Sequence, residues 1–160
     1  MPDIMAMDGP MREALAERLG GVVVSRGRLH MLQELPGLAA VGGTGEIAGC
    51  LFYAVSEEAC EIVSLESFRE NEGVGSGLIG QVRRIAEEAG CSRLWLITTN
   101  ENIRAIRFYQ RRGFDMKALH VDAVAEARKL KPSIPLQSGE GIPIRHEIEF
   151  EMRLNIEQAV

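Results

Sequence analysis

The chain has 160 residues, 46% of them hydrophobic and 26% charged, enough for one domain with a buried core. This composition excludes a wholly disordered or collagen-like chain. Eighteen basic residues stand against twenty-three acidic ones, and the net charge of −5 argues against a nucleic-acid binder held by general electrostatics.

Residues 11–19 read as a short amphipathic helix, with Leu15 and Leu19 at helical spacing and Gly20-Gly21 as its stop. Residues 22–24 are a short β-branched run. Residues 36–41 and 46–55 read as strands joined by the turn Gly42-Gly43-Thr44-Gly45. Ser56-Glu57-Glu58 leads into a strand over 60–67, so the opening is an antiparallel meander. A polar loop over 68–73 precedes a helix running to Ala89. Its apolar positions Leu78, Ile79, Val82, Ile85, Ala86 and Ala89 recur with the helical period, and Gly90 ends it.

Residues 93–98 are a strand. Leu94, Trp95, Leu96 and Ile97 run without polar interruption, as in a strand covered on both faces. Asn100 or Asn102 caps the next helix, which runs to Arg112 and stops at Gly113. Phe114 opens another strand. Residues 131–141 hold Pro132, Pro135 and two glycines and read as a loop. Residues 144–154 predict a final antiparallel strand and a candidate sheet edge for a homodimer. The sum is a mixed, mostly antiparallel α/β sheet with helices on both faces and a central β-α-β-α unit, in one domain over 1–160.

Cys50, Cys60 and Cys91 are odd in number and form no C-x-x-C, which predicts buried thiols in a reduced, cytoplasmic chain. His30, His120 and His146 are scattered, so no metal site is expected. The N-terminus carries Asp3 and Asp8 without an apolar stretch and reads as no signal peptide. No apolar run approaches the ~20 residues of a membrane span, so no membrane partner is expected.

Gly73-Val74-Gly75-Ser76-Gly77 stands at a strand-to-helix junction. Glycines there let successive N–H groups point into one concavity, and the helix N-terminus adds partial positive charge. This predicts a phosphate or pyrophosphate site. The alternative is that the glycines merely turn the chain. Gly75-x-Gly77-x-x-Gly80 also satisfies a dinucleotide pattern, so a nicotinamide-dependent enzyme is a rival reading. The residues between strand and motif, and the meander before it, weigh against that rival.

Two motifs carry a family resemblance. Glu70-Asn71-Glu72-Gly73-Val74-Gly75 follows Gln/Arg-x-x-Gly-x-Gly/Ala, with Glu70 as a departure at the first position. Asn102-Ile103-Arg104-Ala105-Ile106-Arg107-Phe108-Tyr109-Gln110-Arg111-Arg112-Gly113-Phe114 matches Asn-x-x-Ala-x-x-Phe-Tyr-x-x-x-Gly-Phe at every fixed position. In these stretches, and over roughly 46–114, the chain resembles the GNAT N-acetyltransferase family.

The resemblance implies acetyl transfer from acetyl-CoA, as co-substrate, to an amine of a small molecule or peptide by direct attack. It implies a pantetheine arm between splayed strands at 60–67 and 93–98, with the Leu65 N–H meeting the thioester carbonyl. Val74, Gly75, Ser76 and Gly77 would donate to the pyrophosphate, Gly75 through open space and a left-handed backbone. Asn102 would meet the pantetheine and cap its helix. Tyr109 would protonate the leaving thiolate, or else is a core aromatic. A catalytically silent acyl-CoA sensor is the other reading of the same fold.

Glu61 and Glu66 compete as the base. Strand alternation puts them on opposite faces, with Glu61 beside Val63 and Leu65, where desolvation raises a carboxyl pKa. Either is otherwise a solvated carboxylate, and a water chain can replace a single base. Arg104, Arg107 and Arg111 share one helix face, aimed at a CoA phosphate or at solvent. Residues 22–30 and 133–145 border the acceptor side, with Arg145, His146 and Glu147 as candidate contacts.

Overall fold

Asp8 accepts a hydrogen bond from the Met11 N–H (2.8 Å), and Pro10 sits in the first turn, so helix α1 (Gly9–Arg18) starts before its apolar spacing begins. The computed structural model describes residues 2–70 and 72–154. Asn71 of the loop motif lies outside the described residues, as do Met1 and 155–160.

Before α1 runs a short strand, β1 (Asp3–Ala6), and after it a hairpin of β2 (Val22–Ser25) and β3 (Arg28–Met31). The hairpin turn is Arg26 (φ 49°) and Gly27 (φ 76°), a left-handed pair suited to a two-residue connection. The meander follows as β4 (Gly37–Val41), β5 (Ile47–Val55) and β6 (Ala59–Ser67). Next come α2 (Val74–Glu88), β7 (Arg93–Thr99), α3 (Ile103–Arg111), β8 (Asp115–His120), α4 (Ala123–Leu130) and β9 (Glu147–Arg153).

Among the described residues seven strands form one sheet in the order β1-β4-β5-β6-β7-β9-β8, and only β6 and β7 run parallel. This is the mixed, mostly antiparallel sheet that the sequence predicts. The final strand is not an edge, however: β9 is inserted between β7 and β8, and the edges are β1 and β8. Sequence adjacency suggests the end of the sheet, but β9 alternates Ile148, Phe150 and Met152 with Glu147, Glu149 and Glu151, and pairs on both sides.

β7 also departs from expectation. Leu94, Leu96 and Thr98 are buried, whereas Trp95 and Ile97 are only half-buried. The Arg93 guanidinium lies 5.0 Å from the centre of the Trp95 ring, so a cation rather than a second apolar layer covers that face.

Two apolar clusters flank the sheet. Under α2, Leu78, Val82 and Ala86 pack on Leu51, Cys60, Ile62, Leu94, Leu96 and Phe150. Gly49 permits this approach, because a Cβ there would stand 2.6 Å from Val74 Cγ1. On the opposite face Leu15 and Ala16 of α1 pack with Leu32, Cys50, Phe52 and Val63. Full burial of one such leucine is worth ~1.5–3 kcal/mol.

Two irregularities position the site. β6 pairs with β7 only from Ala59↔Arg93 to Ile62↔Leu96, after which β7 continues on β9 and β6 on β5. A V-shaped opening follows between the two central strands. The β5–β6 register also shifts at Val63: Tyr53 opposes Ile62 while Phe52 opposes Ser64.

Candidate active site

The Val63 bulge overturns simple alternation along β6. Glu61 opposes Ala54 and Glu66 opposes Cys50, four residues apart on β5, so the two acids share a face. Leu65 opposes Leu51 and belongs to the other face, with the cluster under α2. Glu61 therefore keeps Val63 as a neighbour but not Leu65. Glu66 is exposed, whereas Glu61 is 6% exposed.

Glu61 is held from the β2–β3 hairpin. Ser25 Oγ donates to Glu61 Oε2 at 2.6 Å, and His30 Nε2 lies 3.4 Å from Oε1 without forming a hydrogen bond. Burial pushes the Glu61 carboxyl up to about 7; the Ser25 bond and Arg28 oppose this, and Glu147 and Glu149 add to it. Burial, with Arg28 nearby, lowers the His30 pKa, so its ring is neutral at pH 7. Ser25 and His30 carry no motif. Only the hairpin, which the sequence signals by Val22 to Val24 and Gly27 alone, brings them to a strand more than 30 residues on.

Across the sheet from Glu61 lie Trp95 and then Glu151, in register. Glu149 and Glu147 follow on the same face of β9. Arg93 bridges Glu149 (2.8 Å) and Glu151 (2.7 Å), and His120 Nε2 lies 2.9 Å from Glu149. Among the described residues no three His, Cys, Asp or Glu side chains group as a metal ion would require.

The glycine-rich loop is set against α2 and α3. Gly73 (φ 74°) takes the left-handed position at the start of α2, not Gly75, which is helical. A Cβ on Gly75 would stand 2.7 Å from Phe108 Cζ, so this glycine makes room for a ring, not for open space. The N–H groups of Val74, Gly75 and Ser76 have no partner within their helix. The Gly77 N–H already donates to Gly73 O at 3.0 Å. Gly77 instead lets Ile4 approach, since a Cβ there would be 3.0 Å from Ile4 Cδ1.

Cations converge on this loop from α3. Arg112 Nε donates to Ser76 Oγ at 2.9 Å, and the Arg112 guanidinium stacks 3.7 Å from the centre of the Phe108 ring. Arg104 pairs with Glu70, so the acid that departs from the motif has a partner. Arg112 was not legible from the spacing of Arg104, Arg107 and Arg111; its signal is the position one turn after Phe108.

Asn102, rather than Asn100, caps α3: its Oδ1 accepts from the Ala105 N–H at 3.1 Å. Asn100 Oδ1 accepts from the N–H groups of Arg145 and His146 (2.9 Å each). Leu65 is half-buried on the stretch of β6 that β7 leaves unpaired. Tyr109 is buried in an aromatic cluster, its ring centre 5.4 Å from that of Phe114 and 5.1 Å from that of Phe108, and burial raises its phenol pKa above the ordinary value. The thiols of Cys50, Cys60 and Cys91 are all buried.

The hairpin and the late loop meet on the Glu61 side, where Lys131 Nζ donates to Val22 O at 2.9 Å. Arg145 and His146 serve the start of α4: Arg145 pairs with Asp122 (2.9 Å), and His146 Nδ1 accepts the Asp122 N–H (2.8 Å). Glu147 is buried beside the hairpin turn.

Comparison with known proteins gives a consistent picture. The acetyltransferase (GNAT) family model matches residues 13–114. The uncharacterized protein YdhI of Bacillus subtilis (strain 168) is 50% identical over 117 residues, 73% of this chain and 73% of that protein. Streptothricin acetyltransferase of Streptomyces lavendulae is 37% identical over 81 residues, 47% of this chain and 42% of that one. The structure of a GNAT family acetyltransferase from Elizabethkingia anophelis with acetyl-CoA bound matches with a TM-score of 0.68 at 19% identity, covering 95% of this chain and 97% of that one.

Proposed function

The chain belongs to the GNAT acetyltransferase family, and we propose that it transfers an acetyl group from acetyl-CoA to the amine nitrogen of a small molecule or peptide. The observation that carries this reading is Glu61: a buried carboxyl, its pKa pushed up to about 7, on the strand that leaves β7 at the centre of the sheet. Such a group accepts a proton near neutral pH, which is what an attacking amine must give up. The acceptor enters from the hairpin side in this reading, and acetyl-CoA from the side of α2 and α3.

Acetyl-CoA supplies the activated thioester. The N–H groups of Val74, Gly75 and Ser76 at the start of α2 donate to its pyrophosphate, and Arg112 adds a positive charge beside them. Gly77 keeps the helix close to β1. The Leu65 N–H, on the unpaired stretch of β6, polarises the thioester carbonyl. The Asn102 carboxamide meets the pantetheine while its oxygen caps α3. Glu61 takes the amine proton as the N–C bond forms. Tyr109 gives its phenol proton to the sulfur as the C–S bond breaks; a raised pKa keeps that proton in place at neutral pH. The whole chain, 1–160, acts as one cytoplasmic acyltransferase domain. Among the described residues no helix is long and apolar enough to cross a membrane.

Thermal shift against acetyl-CoA, CoA, NAD and NADP tests this reading. A ligand at a hundred times its dissociation constant stabilises by ~2.7 kcal/mol. Acetyl-CoA and CoA are expected to raise the melting temperature and the nicotinamides to leave it unchanged. A response to NAD with none to CoA would overturn the reading in favour of the glycine pattern's dinucleotide role.

A further inference from the structure

On the face of the sheet that carries Glu61, the carboxylates are unequally matched. Glu149 and Glu151 are answered by Arg93 and, at Glu149, by His120. Glu147 is 2% exposed, yet among the described residues its side-chain partner is Arg26 alone, whose N–H stands 3.3 Å and whose guanidinium stands 3.5 Å from Oε1. Both are long for contacts to a buried charge, for which ~2.7–2.9 Å is usual. Glu61 has Ser25 and a neutral His30, and no arginine or lysine in ion-pairing contact among the described residues.

A second observation points into the same place. His30 is 5% exposed, and its Nε2 faces Glu61 Oε1 at 3.4 Å with no hydrogen-bond partner among the described residues. A buried ring nitrogen is rarely left so. A ligand N–H placed to one side of this pair can reach Glu61 Oε1 and, in the tautomer that leaves it unprotonated, His30 Nε2.

Arg26 has the marks of a displaceable group. It sits at the hairpin turn with φ 49°, a conformation that costs a side chain-bearing residue, and its side chain is 42% exposed. It lies at an open depression of about 480 Å³ that it shares with Gly27, His120 and Glu126. Its guanidinium is a partly exposed cation at long range from a buried carboxylate, beside space that a ligand can enter.

We propose that the acceptor is a diamine or polyamine: one amine meets Glu61, and a second, as ammonium, replaces the Arg26 guanidinium at Glu147. This rests on the amine-acetylation reading and names its substrate class. The ligand is a dication reaching two separate carboxylates rather than a metal ion, since among the described residues no three His, Cys, Asp or Glu side chains group as a metal ion would require. An acceptor bearing a carboxylate would meet like charges on this face.

The test compares cadaverine and putrescine with pentylamine as acceptors, using the intact protein and saturating acetyl-CoA. The diamines are expected to show kcat/KM at least about tenfold above pentylamine. Glu147→Gln is expected to raise the KM for cadaverine about tenfold more than that for pentylamine. The ratio matters because losing the Glu147 charge also shifts Glu61, which affects both acceptors alike. Arg26→Ala is expected to lower the KM for cadaverine by removing the competing cation. Glu147→Asp, which keeps the charge, should restore part of the discrimination, and an acetyl-CoA thermal shift verifies that each variant is folded. Turnover of all three amines without discrimination, or a higher cadaverine KM in Arg26→Ala, would overturn the inference while leaving acetyl transfer intact. No turnover of any amine by wild-type protein that binds acetyl-CoA would overturn both.

Discussion

Ser25 Oγ donates a 2.6 Å hydrogen bond to Glu61 Oε2, so a hairpin 36 residues upstream holds the carboxylate at the centre of the sheet. The bond favours the charged form of Glu61 and opposes the effect of burial. Ser25→Ala is therefore expected to move the acidic limb of the kcat/KM profile to higher pH, with a loss of rate greatest below neutrality. Ser25→Thr, which keeps the hydroxyl, should return the limb. An acidic limb that stays in place in Ser25→Ala would remove Ser25 as a positioning residue.

Glu61→Gln should lower the rate by ~10²–10⁴ with little change in acetyl-CoA affinity. It also has a signature in stability. The folded pKa of Glu61, about 7, lies above its ordinary value of 4.5, so the folded state binds a proton that the unfolded state releases over that window. Stability contributed at this site is thus present at low pH and lost as pH rises towards 7. Glu61→Gln escapes this loss, so relative to wild type it should gain up to ~3 kcal/mol between about pH 5 and about pH 8. Urea unfolding at the two pH values measures the difference. No gain would mean that the carboxyl is not desolvated in solution.

Gly75 and Phe108 should behave as a pair. Gly75→Ala places a Cβ against the Phe108 ring and is expected to cost ~1–3 kcal/mol, with weaker acetyl-CoA binding because the start of α2 must shift. Gly75→Ala combined with Phe108→Leu should recover much of the acetyl-CoA affinity. If the double variant binds no better than Gly75→Ala, the glycine serves the phosphate directly and not the ring.

The second motif was legible because its parts act locally. Asn102 caps the helix that follows it, Tyr109 faces the core two turns later, and Gly113 (φ 92°) ends the run in the left-handed region. The first motif placed the loop correctly but misassigned its glycines, since the need for Gly75 comes from Phe108, 33 residues away in the chain. The relation of Glu61 to Glu66 was beyond alternation because a single bulge at Val63 reverses it. β1 and β3 carry no period of their own and exist through their partners β4 and β2. α4 begins at Asp122 in a left-handed conformation (φ 59°), tied by His146 and Arg145 from the far side of the late loop.

Tyr109→Phe keeps the ring against Phe108 and Phe114 and removes only the hydroxyl. Stability and acetyl-CoA affinity should hold, while kcat falls by ~10²-fold or more. A wild-type kcat with saturating acceptor, and with chemistry shown to limit the rate, would assign Tyr109 to packing alone.

The release of free CoA thiol from acetyl-CoA, followed with and without an amine panel, decides whether the protein acetylates amines. The panel includes diamines, amino acids, a peptide with a free N-terminus, and streptothricin, after which the Streptomyces relative is named. Amine-dependent release that rises with pH through about 7 and is lost in Glu61→Gln is expected. Tight acetyl-CoA binding with no release for any amine would contradict it and mark the protein as an acyl-CoA sensor.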